Sequence, residues 1–327
     1  MFQRILVPLD GSPCAERAMP IAARLARNSG GSVLLLRVVT HPLDAVASFL
    51  HPPEETEKAS EAAHAQAVSY LEHVARSDDF SDVGTALQVA DSLPAQTILS
   101  AAHLQQVDSI VMCRHGEAGF KHWALGSVAQ TVARHSPVPV LLLQEREEAD
   151  VSALLNPADP RPFHVLVPLD GSAFAEAALL PAACLTTALS APAPGSLHFV
   201  LVLPEFYSEQ EHPGSRIEAS KQKAEAYLHT IEQRLRTGDF ARLHLQASSF
   251  VITGEDVAET LIRLAEQDHH GEEGSKVSKC AVMAMATHGR HGRDLWVIGS
   301  VTERILEGSH IPLLVVRPRQ LTQSDEE

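Results

Sequence analysis

The stretch ILVPLDGS at residues 5–12 occurs again, with one change, as VLVPLDGS at residues 165–172. Each copy is followed by an alanine-rich helical stretch, AERAMPIAARLARNSG in the first half and AEAALLPAACLTTAL in the second. An apolar run comes next, SVLLLRVV or SLHFVLVL. Further on, SIVMCRHGEAGFKHWALGSVAQTVARHSPVPVLLL matches AVMAMATHGRHGRDLWVIGSVTERILEGSHIPLLVV. The same order of elements in both halves predicts two copies of one domain.

The alternation of short apolar runs with helical segments indicates the fold class. Continuous apolar runs such as VLLL and PVLLL are typical of parallel strands that are buried on both faces. Their alternation with helices predicts right-handed βαβ units, so we expect an α/β fold with two tandem domains of five parallel strands each. A charged and then proline-rich stretch predicts a linker at 148–161, between domains at 1–147 and 162–320. Residues 321–327 form a tail, and the second copy carries an inserted loop at 268–278.

Composition narrows the classes of partner. The 327 residues are 45% hydrophobic and carry a formal net charge of -15, which opposes sequence-independent binding to nucleic acid or to an anionic membrane. The start lacks the features of a signal peptide, and we find no apolar run that predicts a membrane span. The four cysteines are widely spaced and form no CxxC pair. We therefore expect a cytoplasmic protein without disulfides or structural zinc.

A carboxylate follows the first strand of each copy. In an open parallel sheet, ligands bind beyond the carboxyl ends of the strands, where the strand order reverses. Asp10 and its counterpart Asp170 lie at such an end, and Ser12 is a natural N-cap for the helix that follows. These carboxylates can accept hydrogen bonds from a ribose hydroxyl or an exocyclic amine. The alternative is that each aspartate only organises its own turn.

A glycine-spaced loop follows the fourth strand of each copy. Gly116 and Gly126 flank nine residues in the first copy, Gly289 and Gly299 flank nine in the second, and a serine follows each pair. Glycine lets backbone N–H groups approach phosphate oxygens, and a helix N-terminus adds free N–H donors. The pattern therefore predicts a phosphate cradle.

The serines after these glycines allow a second interpretation. SVAQ at 127–130 and SVTE at 300–303 both fit a capping box, which would explain Ser127 and Ser300 without a ligand. The charges of the two loops also differ. Arg290, His291 and Arg293 would favour phosphate in the second loop, whereas Glu117 in the first opposes it. Solvated loop charges are the alternative.

These residues closely resemble the universal stress protein family in its tandem two-domain form, over nearly the whole chain. The resemblance implies an adenine-nucleotide-alpha-hydrolase-like α/β fold with a five-stranded parallel sheet per domain. One branch of the family binds ATP through a G-x2-G-x9-G-[S/T] loop and the aspartate after the first strand. Another branch lacks the loop and does not bind ATP.

The resemblance also implies which positions hold the nucleotide. The aspartate would bind ribose or adenine, a proline and a valine would line the adenine pocket, a methionine would lie against the nucleoside, and the loop would hold the phosphates. In the first copy these positions are Pro8, Asp10, Val38, Met112, Gly116, Gly126, Ser127 and Val128. In the second copy they are Pro168, Asp170, Val202 or Leu203, Met285, Gly289, Gly299, Ser300 and Val301, with Arg290 beside them.

Both copies depart from the family pattern at one position. The first glycine of the loop is Cys113 in one copy and Ala286 in the other. If that glycine needs a positive φ or the closest backbone approach, both sites are weakened, and the larger cysteine weakens the first site more. Together with Glu117, this predicts that the second domain is the principal ATP site.

The resemblance implies a partner for each domain. Single-domain members of the family dimerise through their last strands, here PVPVLLL at 137–143 and IPLLVV at 311–316. Fusion would make that pairing intramolecular, so we expect a built-in pseudo-dimer, to which association of two chains can be added.

Three functions remain open. The first is an ATP-binding regulatory protein of the stress response, with slow or no turnover, which acts on an unidentified regulatory protein and binds ATP with or without Mg²⁺. The second is a scaffold that binds no nucleotide. The third is an enzyme, which is disfavoured because we find no Walker lysine, no GxSxG and no catalytic carboxylate pair near the loops. We assign no catalytic residue, and the eighteen histidines show no metal-ligand spacing.

Overall fold

The chain folds into alternating strands and helices in both halves. The computed structural model describes residues 1–40, 53–114, 125–144, 163–205, 213–267, 269–270, 276–277, 279–288 and 298–318. The strands are β1 (Arg4–Leu9), β2 (Ser32–Val39), β3 (Gly84–Asp91), β4 (Ser109–Cys113), β5 (Val140–Leu143), β6 (His164–Pro168), β7 (Ser196–Pro204), β8 (Gln246–Gly254), β9 (His269–His270), β10 (Lys276–Val277), β11 (Val282–Ala286) and β12 (Leu313–Val316). The α-helices are α1 (Pro13–Glu16), α2 (Ala18–Ser29), α3 (Pro53–Ala75), α4 (Pro94–Leu104), α5 (Ser127–His135), α6 (Ala173–Glu176), α7 (Leu179–Ser190), α8 (Pro213–Thr237), α9 (Val257–Glu266) and α10 (Ser300–Gly308).

Helix starts follow from local residue chemistry. Pro13 opens α1 directly after Ser12, whose side chain accepts from the backbone N–H of Ala15. Pro94 stands in the first turn of α4, where its missing N–H costs nothing. Asp256 caps α9 by accepting from the Glu259 N–H at 2.9 Å. Each of these helices therefore begins where the sequence supplies a cap or a proline.

Ten strands form one sheet in the order β3-β2-β1-β4-β5-β12-β11-β6-β7-β8. Neighbouring strands within each half are parallel. Both halves share the internal order third, second, first, fourth, fifth. This confirms the predicted α/β fold with five parallel strands per copy. The strand order reverses between β1 and β4 in the first half and between β6 and β11 in the second.

The two halves meet where their last strands pair. β5 and β12 run antiparallel, with Leu142 opposite Leu313 and Leu141 opposite Leu314. All four side chains are buried. Helices α2 and α7 pack beside the same seam, and the Asn28 side-chain amide donates to the Ala188 carbonyl at 2.7 Å. The expected pairing of last strands is therefore present within one chain.

Helices cover both faces of the sheet and create two apolar cores. One face, here called the α2 face, packs against α2, α3, α7 and α8. The other, the α5 face, packs against α4, α5, α9 and α10. Successive strand residues alternate between them, so Val111 and Cys113 face α2 whereas Ile110 and Met112 face α5. Burial on both faces explains why the strands appear in the sequence as unbroken apolar runs.

Two segments differ from the expectations drawn from the sequence. The inserted loop at 268–278 contains a short antiparallel pair, β9 and β10. Within the described residues, Ala173–Ser190 is long and apolar enough to pass for a membrane span, with a mean hydropathy of 1.4. Half of that stretch is buried, and Leu185 and Leu189 of α7 pack into the core of the α2 face. Its apolar character is thus explained by packing against the sheet.

Candidate functional site

The turn after β1 fixes a carboxylate at the point where strand order reverses. Oδ1 of Asp10 accepts from the Ser12 backbone N–H at 2.9 Å and from the Ser12 hydroxyl at 2.6 Å. Ser12 Oγ in turn accepts from the Ala15 N–H at 3.1 Å. Gly11 has a φ of +82°, in the left-handed region that glycine adopts without a steric penalty. The turn therefore fixes both the aspartate and the start of α1.

The second copy reproduces this geometry. Asp170 Oδ1 accepts from the N–H and the hydroxyl of Ser172 at 2.9 and 2.6 Å, and Gly171 has a φ of +83°. Ser172 Oγ accepts from Ala175 N at 3.2 Å. In both copies, therefore, the aspartate organises its own turn, as the alternative interpretation expected. The turn holds each carboxylate in a fixed orientation beside the point where the strand order reverses.

Strand register brings three of the predicted adenine-pocket residues together in the first domain. Leu6 of β1 is opposite both Leu34 of β2 and Ile110 of β4, so Pro8 and Met112 lie level with each other, two residues further along. Val38 lies two residues beyond the partner of Pro8 on β2. Met112 and Val38 both pack on the α5 face. The structure thus gathers Pro8, Val38 and Met112 at one edge.

The second domain has the same arrangement, and its strand register decides between Val202 and Leu203. Pro168 is opposite Val200, so Val202 occupies the position of Val38. Val202 packs on the α5 face together with Met285, whereas Leu203 packs on the α2 face. Val202, and not Leu203, therefore belongs with Pro168 and Met285.

The residues that replace the first loop glycine, Cys113 and Ala286, end the fourth strands β4 and β11. Cys113 packs into the core of the α2 face, opposite to Met112, and its thiol donates to the Cys14 carbonyl at 2.5 Å. Contact with the Cys14 thiol and burial together raise the pKa of Cys113. Neither Cys113 nor Ala286 has a positive φ. Whether Cys113 weakens the first site stays a prediction, because most of the loop that follows it lies outside the described residues.

The second glycine of each loop begins a helix and closes the loop. The N–H of Gly126 donates to the Arg114 carbonyl at 2.9 Å, and the N–H of Gly299 donates to the Thr287 carbonyl at 2.8 Å. These glycines are the N-cap residues of α5 and α10, and neither helix has a side-chain cap. Ser127 and Ser300 are exposed first-turn residues. The capping-box interpretation is therefore wrong, since the serine hydroxyls do not cap.

The first turn of α10 presents backbone donors without a side-chain cap. The first helical hydrogen bond runs from the Glu303 N–H to the Gly299 carbonyl at 2.9 Å. The N–H groups of Ser300, Val301 and Thr302 precede it and have no acceptor within the helix. In α5 the same holds for Ser127, Val128 and Ala129, because the first bond starts at Gln130. Both N-termini can therefore hold an anion.

No contact inside the described protein requires glycine at position 299. Gly299 has φ -61° and ψ 144°, a backbone conformation open to any residue. A Cβ there would lie 3.4 Å from the Thr287 carbonyl oxygen, an ordinary contact distance. A glycine that neither backbone nor packing demands suits a position where a ligand approaches the backbone closely.

Six loop positions considered from the sequence lie outside the described residues. These are Gly116, Glu117, Gly289, Arg290, His291 and Arg293, so their place in the site stays a prediction. Among the residues that the structure does describe, no three histidine, cysteine or acidic side chains lie together in a way that could hold a metal ion.

A buried arginine, Arg114, links the end of β4 in the first domain to the C-terminus of α10 in the second. This contact was not predicted from the sequence. Arg114 follows β4 and donates through Nη1 to the Ser309 carbonyl at 2.8 Å, at the C-terminus of α10. Gln144 donates to the same carbonyl. Burial lowers the pKa of Arg114 to about 10. Arg134 of α5 also pairs with Glu303 of α10 at 2.5 Å. Helix α10 therefore contacts the first domain through polar interactions at both of its ends.

A hydrogen-bonded chain around the buried His198 in the second domain was also not predicted from the sequence. His198 Nε2 is 2.8 Å from His164 Nδ1, and His198 Nδ1 is 2.7 Å from the Ser248 hydroxyl. Burial and then the neighbouring His164 lower the pKa of His198 to about 4. The three residues lie near the starts of β6, β7 and β8, at the opposite end of the strands from Asp170, so this chain is separate from the candidate site.

The fold and the site together define a class of protein: an open α/β protein with two sheet edges that can bind a ligand. Each edge has an aspartate at a strand end and a helix N-terminus. A family model described as the universal stress protein family matches residues 1–144 and again residues 163–317. The chain belongs to the universal stress protein family, as two tandem domains.

Individual relatives agree with this assignment. A universal stress protein of Thermus aquaticus is 33% identical over 150 residues, which is 44% of this chain and 100% of the relative. One of Methanocaldococcus jannaschii is 27% identical over 147 residues, 44% of this chain and 84% of the relative. A solved universal stress protein from Archaeoglobus fulgidus has a TM-score of 0.59 at 19% identity and covers 98% of both chains. That last likeness extends the shared fold to the tandem arrangement.

Proposed function

We propose that this chain is an ATP-binding regulatory protein of the stress response, with slow or no turnover, and that its second domain is the better nucleotide site. The observation that carries the proposal is the N-terminus of α10, which has no side-chain cap and begins at Gly299. Neither the backbone conformation nor the packing of the described residues requires glycine at that position. Such an N-terminus favours negative charge, and the missing side chain leaves room for phosphate oxygens.

The adenosine part would lie along the neighbouring strand ends. Val202 and the buried Met285 pack on the α5 face, and with Pro168 at the neighbouring strand end they would form the apolar side of an adenine pocket. The carboxylate of Asp170, held by Ser172, would accept from the ribose or from the adenine amine. The apolar surface and the helix N-terminus lie on the same face of the sheet, which suits a ligand with an aromatic base and a phosphate chain.

Two differences support the second domain over the first. The second loop carries Arg290 where the first carries Glu117, and a guanidinium pairs with phosphate whereas a carboxylate repels it. Thr287, at the mouth of the second loop, corresponds to Arg114 in the first, and the Arg114 guanidinium is directed to Ser309.

The described residues around the helix N-terminus support slow or no turnover. Phosphoryl transfer needs a positioned base, a metal clamp or an additional cation. Among the described residues of this edge, Asp170 is held by its own turn and Glu303 is paired with Arg134. Mg²⁺ would then enter with the nucleotide. The output would be a contact with a cytoplasmic regulatory protein or with a second copy of the chain.

A scaffold that binds no nucleotide is the second candidate. The observation in its favour is that Asp10 and Asp170 both serve their own turns, so their presence needs no ligand. The loop glycines distinguish the two functions, because a scaffold has no use for an unobstructed backbone at Gly299.

Calorimetric titration of ATP into Gly299→Ala, with Gly126→Ala as the matched control, tests the proposal. Each variant adds one methyl group at the N-cap of a loop helix. We expect Gly299→Ala to weaken binding about ten-fold or more, roughly 1.4 kcal/mol, and Gly126→Ala to leave the main binding event unchanged. Equal losses in both variants would contradict the preference for the second domain, and no binding by the wild type would leave the scaffold.

A further inference from the structure

His288 is a buried side chain whose outer nitrogen lacks a partner. The residue lies two positions beyond the end of β11 and is only 5% exposed. Its Nδ1 lies 2.8 Å from the hydroxyl of Thr287, which is itself fully buried. Its Nε2 is buried and has no hydrogen-bond partner among the described residues. Native proteins satisfy nearly all buried polar atoms, so a partner from outside the described chain is expected for Nε2.

The backbone of His288 lies next to the start of α10. The Thr287 carbonyl, which precedes His288, accepts from the Gly299 N–H at 2.8 Å. A Cβ on Gly299 would lie 4.0 Å from the Cα of His288. The hydroxyl of Thr302 also donates to the Ala286 carbonyl at 3.0 Å, which fastens the first turn of α10 to the end of β11. His288 therefore stands beside the uncapped N–H groups of α10.

The Thr287 hydroxyl is the hydrogen-bond partner of Nδ1 and can either donate to it or accept from it. A neutral imidazole has one donor and one acceptor nitrogen. When the Thr287 hydroxyl donates to Nδ1, the ring hydrogen is on Nε2, which then becomes a donor. Together with the N–H groups of α10, a donor at Nε2 suits an anionic oxygen.

We propose that His288 is a ligand-binding residue whose Nε2–H donates to a phosphate oxygen held at the N-terminus of α10, and that Thr287 positions the ring by donating its hydroxyl hydrogen to Nδ1. This inference rests on the proposed ATP site of the second domain and adds two residues to it. It assigns to them the polyphosphate part of the ligand, and not the adenosine part.

The first domain lacks the positioning hydroxyl. Arg114 occupies the place of Thr287, and its guanidinium donates to Ser309 in the other domain. The arrangement of hydroxyl, imidazole and helix N-terminus is therefore a property of the second domain, and it gives a side-chain basis for preferring that site.

Two isosteric substitutions separate the functions of the two ring nitrogens. In His288→Asn the side-chain amide reaches the position of Nδ1 and can still contact Thr287, but no donor remains at the position of Nε2. In His288→Gln the amide N–H reaches the position of Nε2. The probes are ATP and adenosine, titrated by calorimetry into wild type and both variants, with thermal unfolding to check that each variant folds.

We expect His288→Asn to bind ATP about 10- to 100-fold more weakly, as for loss of a hydrogen bond to a charged group, with adenosine affinity unchanged. We expect His288→Gln to recover much of the ATP affinity, and Thr287→Val to show a smaller loss for ATP alone. ATP affinity in His288→Asn equal to that of the wild type would overturn the inference while leaving the ATP site intact. Equal losses for ATP and adenosine would overturn it too, because His288 would then serve the structure only. No binding of either probe by the wild type would defeat the proposed function itself.

Discussion

Acid should destabilise this protein through His198, and the size of the effect can be worked from the structure. His198 lies in a buried chain between His164 and Ser248, with ring nitrogens 2.8 and 2.7 Å from its partners. Burial and, to a smaller extent, the adjacent His164 lower the pKa of His198 from 6.5 to about 4. Burial lowers the pKa of His164 as well.

The direction follows from proton binding in the two states. Between pH 6.5 and about 4, the unfolded chain binds a proton on this histidine that the native protein does not. Acid therefore favours the unfolded state in that window, and the stability present above it is lost as the pH falls. A pKa fall from 6.5 to about 4 corresponds to about 3 kcal/mol in the free energy of unfolding.

The assay is urea unfolding, followed by circular dichroism, at several values from about pH 7 to about pH 4. His198→Gln removes the titrating group and keeps a polar side chain. We expect the stability advantage of the wild type over this variant to shrink by about 3 kcal/mol across the window. His103→Gln, at an exposed position of α4, is the control and should follow the wild type. Parallel pH profiles for wild type and His198→Gln would refute the reasoning.

Three further predictions concern the turns and the loop. Ser172→Ala should lower the free energy of unfolding by about 1 kcal/mol, because Ser172 caps α6, whereas Ser300→Ala should change it by less than about 0.5 kcal/mol. Urea midpoints check this pair, and equal losses would contradict the corrected cap assignment. Gly31→Ala should cost more than about 2 kcal/mol by the same measurement, because a Cβ would lie 2.1 Å from the Phe2 carbonyl oxygen. A wild-type midpoint would refute that contact. Cys113→Gly restores the family pattern, yet it should not raise ATP affinity, because the Cys113 side chain packs in the core of the α2 face whereas Met112 and α5 lie on the other face. A calorimetric gain in affinity would show that the cysteine does obstruct the site.

Much of the fold could be predicted because its signals are local or repeated. Apolar runs marked strands buried on both faces, and the repeated VPLDGS segment marked two copies. Strand-end positions such as Asp10 and Met112 then converge at one edge in any parallel sheet of this order.

The remaining features depend on facts that a sequence pattern does not contain. Ser127 and Ser300 fit a capping box by spacing, but each helix starts one residue earlier than that interpretation needs, so the preceding glycine is the N-cap. Which of the two cores Cys113 enters depends on the face of β4 that it occupies, and alternation fixes that only once the register is known.

Long-range polar contacts were beyond reach for the same reason. His164 and His198 are 34 residues apart, and Arg114 and Ser309 are 195 apart. Nothing in the local sequence around either residue pairs them. Strand register brings the histidines together, and the antiparallel pairing of β5 with β12 brings Arg114 to Ser309.

The nucleotide content of freshly purified protein tests the central claim most directly. The protein would be denatured, the supernatant chromatographed against adenine-nucleotide standards, and the nucleotide divided by the amount of chain. A second-domain ATP site predicts about one adenine nucleotide per chain in the wild type, with a clear loss in Gly299→Ala and none in Gly126→Ala. An empty wild-type protein that also gives no binding heat with added ATP would contradict the account.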